Sequence, residues 1–162
     1  MATDAIRNLI TTLTGQDGLA RKRAREQLVE IGRPAVSSLL PLLLDKQTYV
    51  RWEAAKALSE IGDPGAAPAL VKALEDDDSG IRWMAAEGLI RAEQAGLPSL
   101  LEALMEHGES IRLRDGADHV LKILAKNEQL SPQAAAVLQA LHGAAPTAEI
   151  PRAAKIALET IG

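Results

Sequence analysis

A block of nine residues, Val50-Arg51-Trp52-Glu53-Ala54-Ala55-Lys56-Ala57-Leu58, recurs as Ile81-Arg82-Trp83-Met84-Ala85-Ala86-Glu87-Gly88-Leu89, a shift of 31 residues (81 − 50). An earlier copy, Ala20-Arg21-Lys22-Arg23-Ala24-Arg25-Glu26-Gln27-Leu28, lies 30 residues upstream (50 − 20). A later one opens as Ile111-Arg112-Leu113-Arg114, a shift of 30 (111 − 81). Two copies close on the same signal, Ile31-Gly32 and Ile61-Gly62. Self-similarity at this period predicts a stacked array, because each repeat is one supersecondary unit that cannot bury its apolar face alone.

Apolar spacing within the blocks is helical, and Gly, Pro and Asp punctuate them. Thr3 or Asp4 is expected to cap a first helix with Ile6, Leu9, Ile10 and Leu13 on one face. Helices are then expected over about 19–31, from Pro34 to Leu44, and over about 47–61, 65–75 and 80–92, one opened by Gly96 and Pro98 with Leu97, Leu100, Leu101 and Leu104, then over about 110–126 and 132–142, with a last one from Ile150. Its ending, Ala157-Leu158-Glu159-Thr160-Ile161-Gly162, matches Ala57 to Gly62, so it is expected to be the second helix of a final pair. Connections of three to five residues imply antiparallel neighbours within one domain. The domain divides into a capping helix (1–17), regular repeats (18–126) and an irregular terminal repeat (127–162).

These motifs resemble the short HEAT-like repeats named after phycobilisome lyase subunits. The V/I-R-x-x-A-A-x-x-L block, the turn Ile61-Gly62-Asp63-Pro64 and the helix Pro68 to Asp76 carry the resemblance, closely over 18–126 and loosely over 131–162. Pro151 replaces the repeat arginine in the last copy, and Gly116 interrupts the alanine pair of the fourth. The resemblance implies an all-α fold: a right-handed α-solenoid of about five helical hairpins, about ten helices. It also implies one of three roles: scaffold, chromophore-lyase subunit or, in a more distant branch, DNA glycosylase. In that family the second helix of each pair resembles the one lining the concave face.

Projection at about 100° per residue separates the faces of that helix. Val50, Ala54, Ala57, Leu58 and Ile61 form the packed side, and Tyr49, Trp52 and Lys56 the opposite side, flanked by Glu53. The equivalent outward residues are Trp83 and Glu87, flanked by Met84, and then Leu113, flanked by Arg114. Trp52, Trp83 and Leu113 are therefore expected to form an apolar stripe with a mixed-charge rim, the anatomy of a protein interface. The competing reading places both tryptophans in gaps between repeats of an aromatic-poor core. Arg51, Arg82 and Arg112 each follow an acid by six residues, Asp45, Asp76 and Glu106, which suggests an arginine–carboxylate ladder tying loops to helices.

Other chemistry is thinly supported. Asp115 and His119 have metal-ligand spacing but no third ligand in register, so no metal and no cofactor are expected. His107 and His142 stand near helix ends, where they are expected to meet terminal carbonyls. The basic cluster Arg21-Lys22-Arg23 with Arg25 reads as a solvated face. No nucleophile–base pair, P-loop or dinucleotide turn is present. A net charge of −4 gives no general attraction to nucleic acid, and cysteine is absent. No secretory signal or membrane-length apolar run occurs, so a cytoplasmic protein is expected. The reading favoured is a non-catalytic interaction or scaffold module whose stripe takes a helix or loop of another protein, with a homodimer as a variant. The alternative is a subunit of a phycobilin lyase-type complex binding a tetrapyrrole or its carrier protein.

Overall fold

The computed structural model describes residues 2–161; Met1 and Gly162, the outer limits of the expected first and last units, lie outside them. The helices are α1 (Ala2–Leu13), α2 (Gly18–Ile31), α3 (Arg33–Leu39), α4 (Thr48–Ile61) and α5 (Ala67–Ala73). They continue as α6 (Ser79–Ala92), α7 (Leu97–His107), α8 (Ile111–Lys126), α9 (Pro132–Leu141) and α10 (Pro146–Ile161). Turns of 3-10 helix cover Leu40–Leu44, Pro64–Ala66 and Glu93–Gly96, and no strand occurs among the described residues.

Local chemistry sets most boundaries. Asp17 accepts from the Leu19 and Ala20 amides, Asp78 from Ile81, Ser110 from Leu113 and Ser131 from Ala134, so α2, α6, α8 and α9 start on side-chain caps. Gly32 and Gly62, at φ 72° and 64°, end α2 and α4. The first helix begins at Ala2, which puts Thr3 and Asp4 inside its first turn rather than at its cap. The helix expected from Pro34 to Leu44 stays α-helical only to Leu39. Pro41 has no N–H and its ring crowds the carbonyl one turn back, so the chain tightens into a 3-10 turn. That turn leaves Leu44 80% exposed.

Helices α2, α4, α6 and α8 stack in one row, and α1, α3, α5 and α7 in a second row behind them. The core between the rows is leucine and alanine, with Leu28, Leu58, Leu70, Leu74, Leu89, Leu101 and Leu104 fully buried. Small residues set the spacing. A Cβ on Gly88 would meet Leu70 Cδ1 at 2.7 Å and the Ser59 Cα at 3.2 Å, so α4 and α6 approach closely because residue 88 has no side chain.

The last pair departs from the expected order. Helix α9 stacks on α8, and α10 crosses back to pack on α7 and α9. The resemblance of α10 to second helices is therefore one of composition, and α10 occupies the row of first helices. Pro151 rests beside the end of α7, where a Cβ on Gly108 would stand 3.3 Å from its Cδ.

Candidate functional site

The exposed side of the α2–α4–α6–α8 row carries aromatic rings that each meet a cationic or imidazole group. Arg21 lies 4.4 Å from the centre of the Tyr49 ring, and Arg25 lies 5.5 Å from that of Trp52. The Trp83 and His119 rings are 4.7 Å apart, centre to centre. Trp83 is 52% exposed, whereas Trp52 is partly buried and packed against the core. Trp52 reaches over Gly80, where a Cβ would stand 3.3 Å from its Nε1. Tyr49, Lys56, Met84, Glu87 and Arg114 are half-buried along the same row.

Charged groups along the row are arranged in pairs. Lys56 meets Glu60 at 3.0 Å, and Lys122 and His142 each meet Asp118 at 2.6 Å. His119 Nε2 lies 3.2 Å from Glu87 Oε1. His142 thus reaches across to α8 instead of meeting helix-end carbonyls, and His107 stands 4.0 Å from Glu106. Among the described residues no group of three or more His, Cys, Asp or Glu is placed to hold a metal ion.

Two residues expected on the concave face, Glu53 on its rim and Leu113 in its apolar stripe, are core. Glu53 is only 6% exposed, its carboxylate held by Arg25 and, at 3.7 Å, by Arg21 Nε. Leu113 is 1% exposed, while Ile111, the copy of Ile81 in the repeat motif, is 67% exposed. The cause is a register error of two residues. Buried positions 81, 85, 88, 89 and 92 of α6 map onto 113, 117, 120, 121 and 124 of α8 at a shift of 32 (113 − 81). The motif Ile111-Arg112 imitates Ile81-Arg82, but Leu113 takes the structural place of Ile81. In this register His119 stands in line with Glu87 (119 − 87), which sequence alignment at a shift of 30 concealed.

The arginine ladder exists in another form. Arg21 donates to the Gly15 and Gln16 carbonyls, Arg51 to those of Asp45 and Lys46, and Arg82 to those of Asp76 and Asp77. For Arg51 and Arg82 the acid six residues upstream therefore contributes its backbone oxygen. The side-chain partner of Arg51 is Asp76 of the next repeat, held through Nε at 2.8 Å and Nη2 at 3.2 Å. Burial pushes the Asp76 carboxyl up, but the Arg51 bonds and the Asp78 amide outweigh it and hold it below the usual carboxylate range. The bond to Asp76 likewise raises Arg51. The ladder stops there: Arg112 donates to the Glu75 carbonyl and Asp77, and Glu106 takes no part in it.

Residues 6–90 match the family model for HEAT repeats, slightly more than half of the chain. The chain belongs to the HEAT-repeat family. This HEAT-repeat protein is 36% identical over 94 residues to a phycobilisome maturation protein of Synechococcus elongatus, a match covering 57% of this chain and 45% of the relative. The chain thus spans less than half the length of the curated relative it matches. Among solved structures, the complex of CpcE and CpcF of phycocyanin lyase from a Nostoc species is similar with a TM-score of 0.60 at 24% identity, covering 96% of this chain and 98% of that one. An engineered protein is similar with a TM-score of 0.50 at 23% identity, covering 96% of this chain and 47% of that one. At these identities the structural likenesses show the fold. No helix among the described residues is long and apolar enough to cross a membrane.

Proposed function

We propose that the protein is a non-catalytic binding subunit of a phycobilin lyase-type or phycobilisome-maturation assembly. Its exposed helix row would hold a tetrapyrrole or the protein that carries it. The observation that carries this reading is Trp83, a large indole about half in water, with the His119 ring 4.7 Å from it. An exposed tryptophan of this kind is a binding anchor for a flat conjugated molecule or an apolar side chain. The partial likeness to a phycobilisome maturation protein supports a role in such an assembly over an unspecified one. Titration with a bilin is expected to quench tryptophan emission and shift the visible band of the pigment. Trp83→Ala is expected to weaken that binding at least about 10-fold with helix content unchanged. If no bilin signal appears with the wild-type chain, the plain scaffold reading takes over, with the same row docking another protein in the cytoplasm.

A further inference from the structure

On the side of the molecule away from Trp83, helix α5 stands between two grooves. Its outer ridge, Pro68, Lys72 and Glu75, is a wall of both, and the first row continues beyond them to α1 and to α10. Toward the 3-10 turn Leu40–Leu44 the groove holds about 350 Å³ and is lined by Leu40, Leu43, Leu44, Ala69 and Ala73. Leu44 is 80% exposed, more than any other large apolar side chain among the described residues. Toward α7 the groove holds about 260 Å³, with Val71 and Ala103 in its walls. Here Glu75, Glu102 and Glu106 outnumber Lys72 and the imidazole of His107. Glu102 has no ion-pair partner among the described residues, and the Glu75 carboxylate meets only a neutral hydroxyl, that of Ser110.

One groove is apolar and the other acidic, and α5 alone separates them. We propose that this face docks an amphipathic helix of another protein, apolar toward one end and basic toward the other. Neighbouring helices in a row lie about 8–10 Å apart. At about 1.5 Å per residue, a helix lying across α5 passes from one groove to the other in about seven residues. Two apolar side chains one turn apart enter the leucine-lined groove beside Leu44. Two basic side chains seven to eight positions further on reach Glu102 and Glu106. The buried apolar anchors supply affinity in such helix-in-groove docking, and the charges fix the direction of the helix. Reversed, it sets its cations over leucines and its leucines over carboxylates. The face lies on the opposite row from Trp83, so it stands apart from the bilin reading.

A labelled synthetic helix of about 18 residues with that pattern, two leucines and two lysines, is the probe, titrated with the full chain by fluorescence anisotropy. Saturable binding is expected. Leu44→Asp, at a position in water, is expected to weaken it about 10-fold or more with helix content unchanged. Serine in place of the peptide's leucines should do the same. Glu102→Lys with Glu106→Lys should weaken binding about 10-fold, and a peptide with glutamates for lysines should recover it. Trp83→Ala should leave the affinity unchanged. Absence of saturable binding overturns the proposal. So does binding that survives loss of the leucines, which is attraction by charge alone, or binding that depends on Trp83 instead of Leu44. Self-association of the chain that Leu44→Asp abolishes, read by sedimentation velocity, makes a second copy the occupant and overturns it too.

Discussion

Glu93 ends α6 at φ 52° and ψ −138°, close to the φ 72° and ψ −136° of Gly32 at the end of α2. A glycine has no Cβ to strain there, whereas a glutamate does, at a cost on the order of 1–3 kcal/mol. Glu93→Gly is therefore expected to raise the unfolding free energy by about 1 kcal/mol, after the greater unfolded-state entropy of glycine is subtracted. Urea titration would register this as a higher midpoint with an unchanged slope. At Glu53 the identity of the residue is understood only through its neighbours. A carboxylate on the edge of an apolar helix face looks like a rim group, yet two arginines of α2 draw it inward and their stems complete the packing.

At the scale of the element, the arginine clamps explain why short repeats hold their register. Each guanidinium takes up two carbonyls of the loop that precedes its own helix, groups that otherwise face water or remain unpaired. The Arg51–Asp76 pair then links α4 to the loop that starts α6. Because the folded carboxyl of Asp76 is held below its unfolded value near 3.8, it contributes stability in full above that value. The contribution is lost as pH falls through the lower, folded value. Asp76→Asn is expected to reduce stability at neutral pH and to flatten the loss between pH about 5 and 2, measured by urea unfolding at a series of pH values.

For the whole molecule, a stack in which layers touch mainly their neighbours is most protected where layers are covered on both sides. Hydrogen exchange is expected to be slowest in α4, α5 and α6, which have neighbours on both sides in their rows, and faster in α1 and α9. Uniform protection across all the helices would contradict the layered account. The crossing of α10 onto α7 is expected to keep α10 slower than α9, since α10 packs more extensively on α7 than α9 does on α8.

The sequence alone was enough for the architecture, because a period of about 30 residues with helical apolar spacing has one physical solution, the stacking of helix pairs. It also placed Trp83 outward, since Val50 and Ile81 anchor the same helix face in both copies. It misplaced Leu113, because Ile111-Arg112 copies the motif two residues ahead of the position that packing selects. Likewise it put α10 in the wrong row, because composition records that a helix has an apolar face and not which neighbour covers it. Burial depends on distances between layers that no local pattern contains. Those distances made Glu53 a core residue, paired His119 with Trp83, and opened a groove on each side of α5.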